Sequence, residues 1–87
     1  MANIKSAMKR AKVSEARTKR NAAYKSMMRT AVRRYERALQ TGDLDGAKDL
    51  LKQASRIIDK IQTKGVIHKN TADRKKSRLA KALNRAS

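Results

Sequence analysis

Residues Lys5 to Gln40 read KSAMKRAKVSEARTKRNAAYKSMMRTAVRRYERALQ, a run of roughly 36 residues with no Pro, no Gly and a heavy load of Ala, Lys and Arg. These residue types favour helix and nothing in the run breaks one, so the stretch predicts a single long helix. At 1.5 Å per residue it reaches roughly 54 Å. A compact domain of this size has a radius of gyration of about 12 Å, and the remaining sequence offers only two shorter helices. About half of the long helix must therefore project without a protein partner, and what touches that half is the functional question.

Placed on a helical wheel, Tyr24, Met28, Ala31, Val32, Tyr35 and Leu39 fall within one arc, with Arg33, Arg34 and Arg37 opposite. That is an ordinary bundle helix. The same arc followed back past Tyr24 meets Asn21, Arg17 and Arg10, with Arg20 on its edge, where a packed helix needs apolar side chains. Lys5, Lys9, Lys12 and Lys19 are expected on the other side. A helix cationic all round cannot bury itself in a protein core, because each unpaired buried charge costs several kcal/mol. It can bury itself in a polyanion.

The 87 residues hold one domain at most, 1–87, divided into a basic helical arm over 1–25 and a bundle over 26–87. Lys plus Arg is 24 and Asp plus Glu is 7, a formal +17. The charge is unevenly spread: residues 1–25 carry net +7, 26–42 net +3, 43–65 net +1 and 66–87 net +6. A partner is expected at the two ends of the chain, with the nearly neutral middle as support. Two Tyr are the whole aromatic content, which excludes modules that stack bases on the aromatics of a sheet. Cysteine is absent, so there is no disulfide framework or thiolate metal site, and a reducing compartment fits.

The first ten residues contain no apolar run of the kind a secretory signal needs. No window approaches the ~18 apolar residues of a membrane span. A mitochondrial presequence shares the basic, acid-poor character of the first 25 residues, but here the helix runs without a seam into the bundle.

Gly42 is expected to close the first helix in a left-handed conformation, and Asp43 to cap the second. Asp45 and Asp49 follow near the positive end of the dipole of that helix, with Lys60 and Lys64 at the far end. Ala47, Leu50, Leu51, Ala54, Ile57, Ile58 and Ile61 recur at helical spacing and supply most of the core. Gly65 ends this helix. Val66 and Ile67 plug the end of the bundle, Asn70 is expected to cap a third helix from Thr71 to about Arg85, and Asp73 to sit in its first turn. Ala72, Leu79, Leu83 and Ala86 share its docking arc, opposite Arg74, Arg78, Lys81 and Arg85. Short connections imply antiparallel neighbours, hence an all-α, up-down-up three-helix bundle whose long first helix projects as a basic arm. Besides the residues already named, Met27, Leu44 and the Met28 to Leu39 stripe complete the expected core. Self-repulsion at +17 leaves such a small bundle marginal, with the first 20 or so residues at best a fluctuating helix that an anion would order.

Catalytic patterns are lacking: there is one His, no Cys, and no HExxH, GxSxG or phosphate-loop motif. Asp43, Asp45 and Asp49 have a helix-dipole explanation, so no metal and no cofactor is expected. His68, with no companion His, reads as a loop residue beside a basic surface. Of the 24 basic residues, 19 lie outside the middle segment with three acids there to balance them, so a merely solvated face is a poor account. Release of condensed ions from phosphates gives a driving force that grows with each Lys or Arg engaged, and a nucleic acid backbone is the expected partner. A membrane-surface helix needs Trp, Phe or Leu opposite its charges, and the arm has only Ile4, Met8 and Val13 nearby. DNA compaction is the alternative, without helix-turn-helix spacing or a minor-groove wedge to favour it. A rod cationic on every side suits a crevice with phosphates on several sides, which folded RNA provides more readily than a regular duplex.

Three motifs resemble the bacterial small-subunit ribosomal protein S-twenty family. They are Ala2-Asn3-Ile4-Lys5-Ser6-Ala7 with Lys9-Arg10, then Lys25-Ser26-Met27-Met28-Arg29-Thr30, then the long run from Lys64-Gly65-Val66-Ile67-His68 through Lys69-Asn70-Thr71-Ala72-Asp73 to Arg74-Lys75-Lys76-Ser77-Arg78-Leu79. The middle segment matches only in pattern. The resemblance implies a non-enzymatic three-helix bundle that binds the 16S ribosomal RNA directly, early in assembly, with the long helix laid into the RNA. It also implies a cytoplasmic, monomeric ribosome component with few or no protein partners. On charge placement, Lys5, Lys9, Arg10, Lys12, Arg17, Lys19, Arg20 and Lys25 are expected to line the arm, with Asn21 and Ser26 as hydrogen-bond donors. Arg29, His68, Lys69, Asn70, Arg74, Lys75, Arg78 and Lys81 are expected to form a second contact surface. Most contacts should go to phosphate and ribose, so that RNA shape is read more than base edges.

Overall fold

The structure, a computed structural model, describes residues 2–87, with side chains from Ala7 onward. Three helices follow in order: α1 Ala2–Thr41, α2 Leu44–Thr63 and α3 Lys69–Ala86. The expected all-α bundle with a long first helix is what the chain forms. The C-terminal part of α1 packs along α2, and α3 packs along α2 in turn, with only slight direct approach between α1 and α3. Because the N-terminal part of α1 continues beyond this packing, the chain measures 64 × 21 × 14 Å. Its radius of gyration is 17.5 Å, well above that of a compact chain of equal length.

Both glycine stops fall where the sequence places them. Gly42 and Gly65 have φ of +79° and +78°, the left-handed region in which a Cβ is strained. At each, two amides recover carbonyls that the helix end would otherwise orphan. Gly42 N–H donates to Leu39 C=O (3.2 Å) and Asp43 N–H to Ala38 C=O (3.0 Å). Gly65 N–H donates to Gln62 C=O (3.0 Å) and Val66 N–H to Ile61 C=O (3.1 Å). A Cβ on Gly65 would meet nothing within 4 Å, so only backbone strain opposes it. Gly65→Ala is therefore expected to cost about 1–2 kcal/mol, read as a lowered urea midpoint at constant m-value.

The helix starts divide into one expected and one unexpected. Asp43 caps α2 through its carboxylate, which accepts the Gly46 N–H at 3.0 Å, and Asp45 follows in the first turn with Lys60 in the last. At α3 the cap is His68, not Asn70. The His68 backbone is extended (φ −73°, ψ 151°), its Nδ1 accepts the Asn70 N–H at 3.1 Å, and its carbonyl accepts the Ala72 N–H at 3.0 Å. An imidazole nitrogen here does the work usually given to an Asn or Ser oxygen, and the helix begins two residues earlier than expected. Asp73 consequently leaves the first turn; its carboxylate lies 3.9 Å from Lys76 Nζ instead. His68→Ala should lower the thermal midpoint by the equivalent of about 1 kcal/mol, and His68→Asn should recover most of it.

Met28, Ala31, Tyr35 and Ala38 of α1, Ala47, Ala54, Ile58 and Ile61 of α2, and Ala72 and Leu79 of α3 form the buried core. Its many alanines allow close helix approach. Tyr24, Val32, Leu39, Leu50, Leu51, Ile57, Val66, Ile67 and Leu83 pack half-buried around it. Three expectations fail at the margins. Met27 is 45% exposed, because it stands on the lip of the α1–α2 contact, Leu44 at the first residue of α2 is only half-buried and lies outside the core cluster, and Ala86 is exposed at the end of α3. Ala38, which the sequence reading omitted, is buried.

Tyr35 is wholly buried, and its hydroxyl donates to the Leu79 carbonyl, tying α1 to α3 at the centre. Burial raises the pKa of its phenol, offset in part by a backbone contact at Leu83. On the outside, Lys76 Nζ donates to Asp59 Oδ1 at 2.6 Å and links α3 to α2. The hydrogen bond to Asp59 is the main cause that lifts the Lys76 pKa above its ordinary value; desolvation opposes it, and the charges of Asp59 and Asp73 add to it.

Candidate nucleic-acid interface

Every residue from Ala7 to Arg20 is exposed. The reason lies in the register of α1. The side that carries Tyr24, Met28 and Tyr35 into the core continues N-terminally as Asn21, Arg17 and Arg10, spaced so that they stay on that side. Lys9, Arg10, Val13, Ser14 and Arg17 line one open hollow on this side. Val13, Ala16, Arg17 and Arg20 line the next. Sharing Val13 and Arg17, the two hollows make a shallow furrow lined by Val13 and Ala16 together with Lys9, Arg10, Ser14, Arg17 and Arg20. Lys9 belongs to this furrow and not to the opposite side, because it stands one turn from Val13 on the same flank.

Lys12 and Lys19 project elsewhere around the helix, and Glu15 has no ion-pair partner among the described residues, so the arm is cationic around its circumference. Both ion pairs among the described residues are made by Lys76. Asn21 is half-buried where the arm enters the bundle, and Lys25, Ser26 and Arg29 are exposed beyond it. The side chain of Lys5, also expected on the arm, lies outside the described residues.

On α3, the spacing Arg74, Ser77, Arg78, Lys81 brings four polar side chains to one shallow hollow. Asp73 sits at its edge, next to the Lys76 ammonium. Lys75 is half-buried and stands apart from this row. Lys69 and Asn70 are exposed at the start of the helix. The cap fixes the chemistry of His68: with Nδ1 accepting from Asn70, a neutral ring carries its hydrogen on Nε2, which is free to donate outward. The expected second surface is thus a row on α3 plus a cluster at its N-terminus, with Lys75 off to the side.

No group of His, Cys, Asp and Glu among the described residues could hold a metal ion. No helix among the described residues is long and apolar enough to cross a membrane. The arrangement offers guanidinium, ammonium, hydroxyl and amide donors on two elements, the chemistry of phosphate contact.

A family model described as "Ribosomal protein S20" matches residues 2–84. The chain belongs to the ribosomal protein S20 family. It is similar to "Small ribosomal subunit protein bS20" of Heliobacterium modesticaldum, 51% identical over 86 residues that cover 99% of this chain and 98% of the relative. The Bacillus cytotoxicus protein of that name is 56% identical over 84 residues, 97% of this chain and 99% of the relative. The Geobacillus kaustophilus one is 54% identical over 84 residues, 97% and 94% respectively. The family match runs through the middle segment as well, where the three motifs gave no support of their own.

For this S20-family chain, the structure adds polar residues that charge counting passed over. Ser77 lies in the α3 hollow with Arg74 and Arg78, and its position one helical turn from Arg74 and Lys81 was the available signal. Arg34, read as lying opposite the core, instead lines a groove between α1 and α2 together with Ser26 and Thr30. Lys76 is taken up by Asp59, a pairing across two helices that no sequence spacing announces.

Proposed function

We propose that the chain is a structural, non-enzymatic constituent of the small ribosomal subunit in the cytoplasm that binds 16S ribosomal RNA directly and stabilises its fold during assembly. Family membership supports the ribosomal part, since the relatives are small-subunit proteins by name. One observation carries the RNA part: the core-facing side of α1 runs on beyond Asn21 as exposed arginines with no carboxylate partner. Nothing among the described residues of the chain covers that side, and phosphates would supply the missing opposite charge.

The division of labour follows the charge. Residues 1–25 act as the arm and residues 26–87 as the bundle that holds it. Lys5, Lys9, Arg10, Lys12, Arg17, Lys19, Arg20 and Lys25 neutralise phosphates along the arm, with Asn21 and Ser26 donating hydrogen bonds to phosphate or ribose. Arg74, Arg78 and Lys81, with Arg29, His68, Lys69, Asn70 and Lys75, hold a second RNA element. The protein works as a monomer with few or no protein partners and no cofactor. Contacts to phosphate and ribose dominate, so RNA shape selects the site.

Competition at matched salt between a 16S ribosomal RNA transcript and duplex DNA of equal phosphate content tests this reading. The RNA is expected to win clearly, with log affinity falling linearly in log salt. Equal affinity for the duplex would overturn it in favour of DNA compaction.

A further inference from the structure

The α1–α2 contact leaves a groove of about 300 Å³ on one side, and the arm-and-α3 reading makes no use of its apolar floor. Ala31, Leu50 and Ile57 form that floor. It stays open because Ala31 is too short to fill it, and Met27 stands 45% exposed at the lip. Ser26, Thr30, Arg34 and Gln53 form the rim. Two hydroxyls, a carboxamide and a guanidinium together offer donors and acceptors in several directions.

Three features of the groove select its occupant. Its volume is at the lower end of the ~300–1,000 Å³ of small-molecule clefts, room for one planar ring but not for the side of a helix. Its α1 edge is cationic: Arg34 lies on the rim, and Arg33 and Arg37 on the same helix are exposed with no carboxylate partner, complementary to a polyanion. A second copy of this chain, at +17, is repelled from such an edge. Unstacked bases of RNA loops and bulges stack on guanidinium planes and are hydrogen-bonded at their edges, which is what this floor and rim provide.

We propose that the groove accepts one unpaired nucleobase of the bound RNA, stacked against Met27 and the Arg34 guanidinium, with its edge hydrogen-bonded by the Thr30 and Gln53 side chains. The inference rests on the RNA-binding reading above and gives it a base contact that phosphate recognition lacks. A protein side chain is the competing occupant.

Thr30→Trp fills the groove from an exposed position without changing charge. In the full-length chain it should weaken binding of a 16S ribosomal RNA transcript by about tenfold, the effect of losing one stacked base, with the salt slope unchanged. One base protected by the wild type should become reactive to base-edge probes, while the backbone-cleavage footprint persists. Unchanged affinity and unchanged base reactivity would overturn the base site yet leave the salt slope, and with it the RNA reading, intact. A wild-type chain that binds the transcript without salt dependence would overturn that underlying reading instead. A photoreactive residue at Gln53, in assembled small subunits, decides independently of the folding of Thr30→Trp: a crosslink to one nucleotide supports the proposal, and a crosslink to a protein overturns it.

Discussion

Replacing Arg10, Arg17 and Arg20 together by Ala is expected to lower affinity for 16S ribosomal RNA by about 100-fold at physiological salt, as three contacts of about 1 kcal/mol each are lost. The slope of log affinity against log salt should flatten by about 2–3, because each neutralised phosphate contributes ~0.7–0.9. Arg10, Arg17 and Arg20 are exposed on the arm and none belongs to the core, so the thermal midpoint of the bundle should not fall. Lys48, Lys52 and Arg56 of α2 provide the matched control: also exposed cations, they lie in the nearly neutral middle segment. Their triple replacement by Ala should leave both affinity and slope close to wild type. Equal losses in the two triple variants would mean that net charge alone sets binding, and that the furrow on α1 has no special place in it.

Tyr35→Ala is the largest single-residue effect expected, about 3–5 kcal/mol for a fully buried aromatic side chain. Small domains have ~5–15 kcal/mol in all, and self-repulsion at +17 puts this one toward the low end. Loss of a cooperative melt by circular dichroism at low salt is the expected result. On the proposed reading ribosomal RNA binds the folded form, so its addition should restore helicity by mass action. Tyr35→Phe keeps the ring and removes only the hydroxyl bond to the Leu79 carbonyl, a cost of about 1 kcal/mol. It also isolates a pH effect. The unfolded phenol titrates at its ordinary 10.0 and the folded one above that, so the term is fully present below pH 10 and drains away as pH rises through the folded value. Lysine deprotonation relieves repulsion in the same range, and the difference between wild type and Tyr35→Phe separates the two.

What could be read from the sequence was what repeats or is local. The length of α1, the register that carries its core side onto Asn21, Arg17 and Arg10, the glycine stops at Gly42 and Gly65 and the Asp43 cap all depend on residues within a turn or two of each other. The misses depend on more distant or more subtle competition. Asn70 outranks His68 as a cap on intrinsic preference, but the extended backbone at His68 decided the matter, and Asp73 lost its place in the first turn as a result. Met27 and Ala38 both sit at the margin of the core side of α1; which of them is covered depends on where α2 lies, and that is information α1 does not contain. The Asp59–Lys76 pair and the reach of Tyr35 to α3 likewise require three helices to be assembled first. For the site, charge periodicity located the arm furrow and the α3 row, while the groove behind Met27 became visible only when two helices met.

From Ala7 to Arg20 the arm is a single exposed helix, only ~10–12 Å across with its side chains. On the proposed reading, RNA segments on opposite flanks of α1 would be held a fixed distance apart while both feel the same lysines and arginines. Diffuse salt can quiet the repulsion between two such strands, but it cannot set a spacing. A stiff shim of permanent positive charge does both at once.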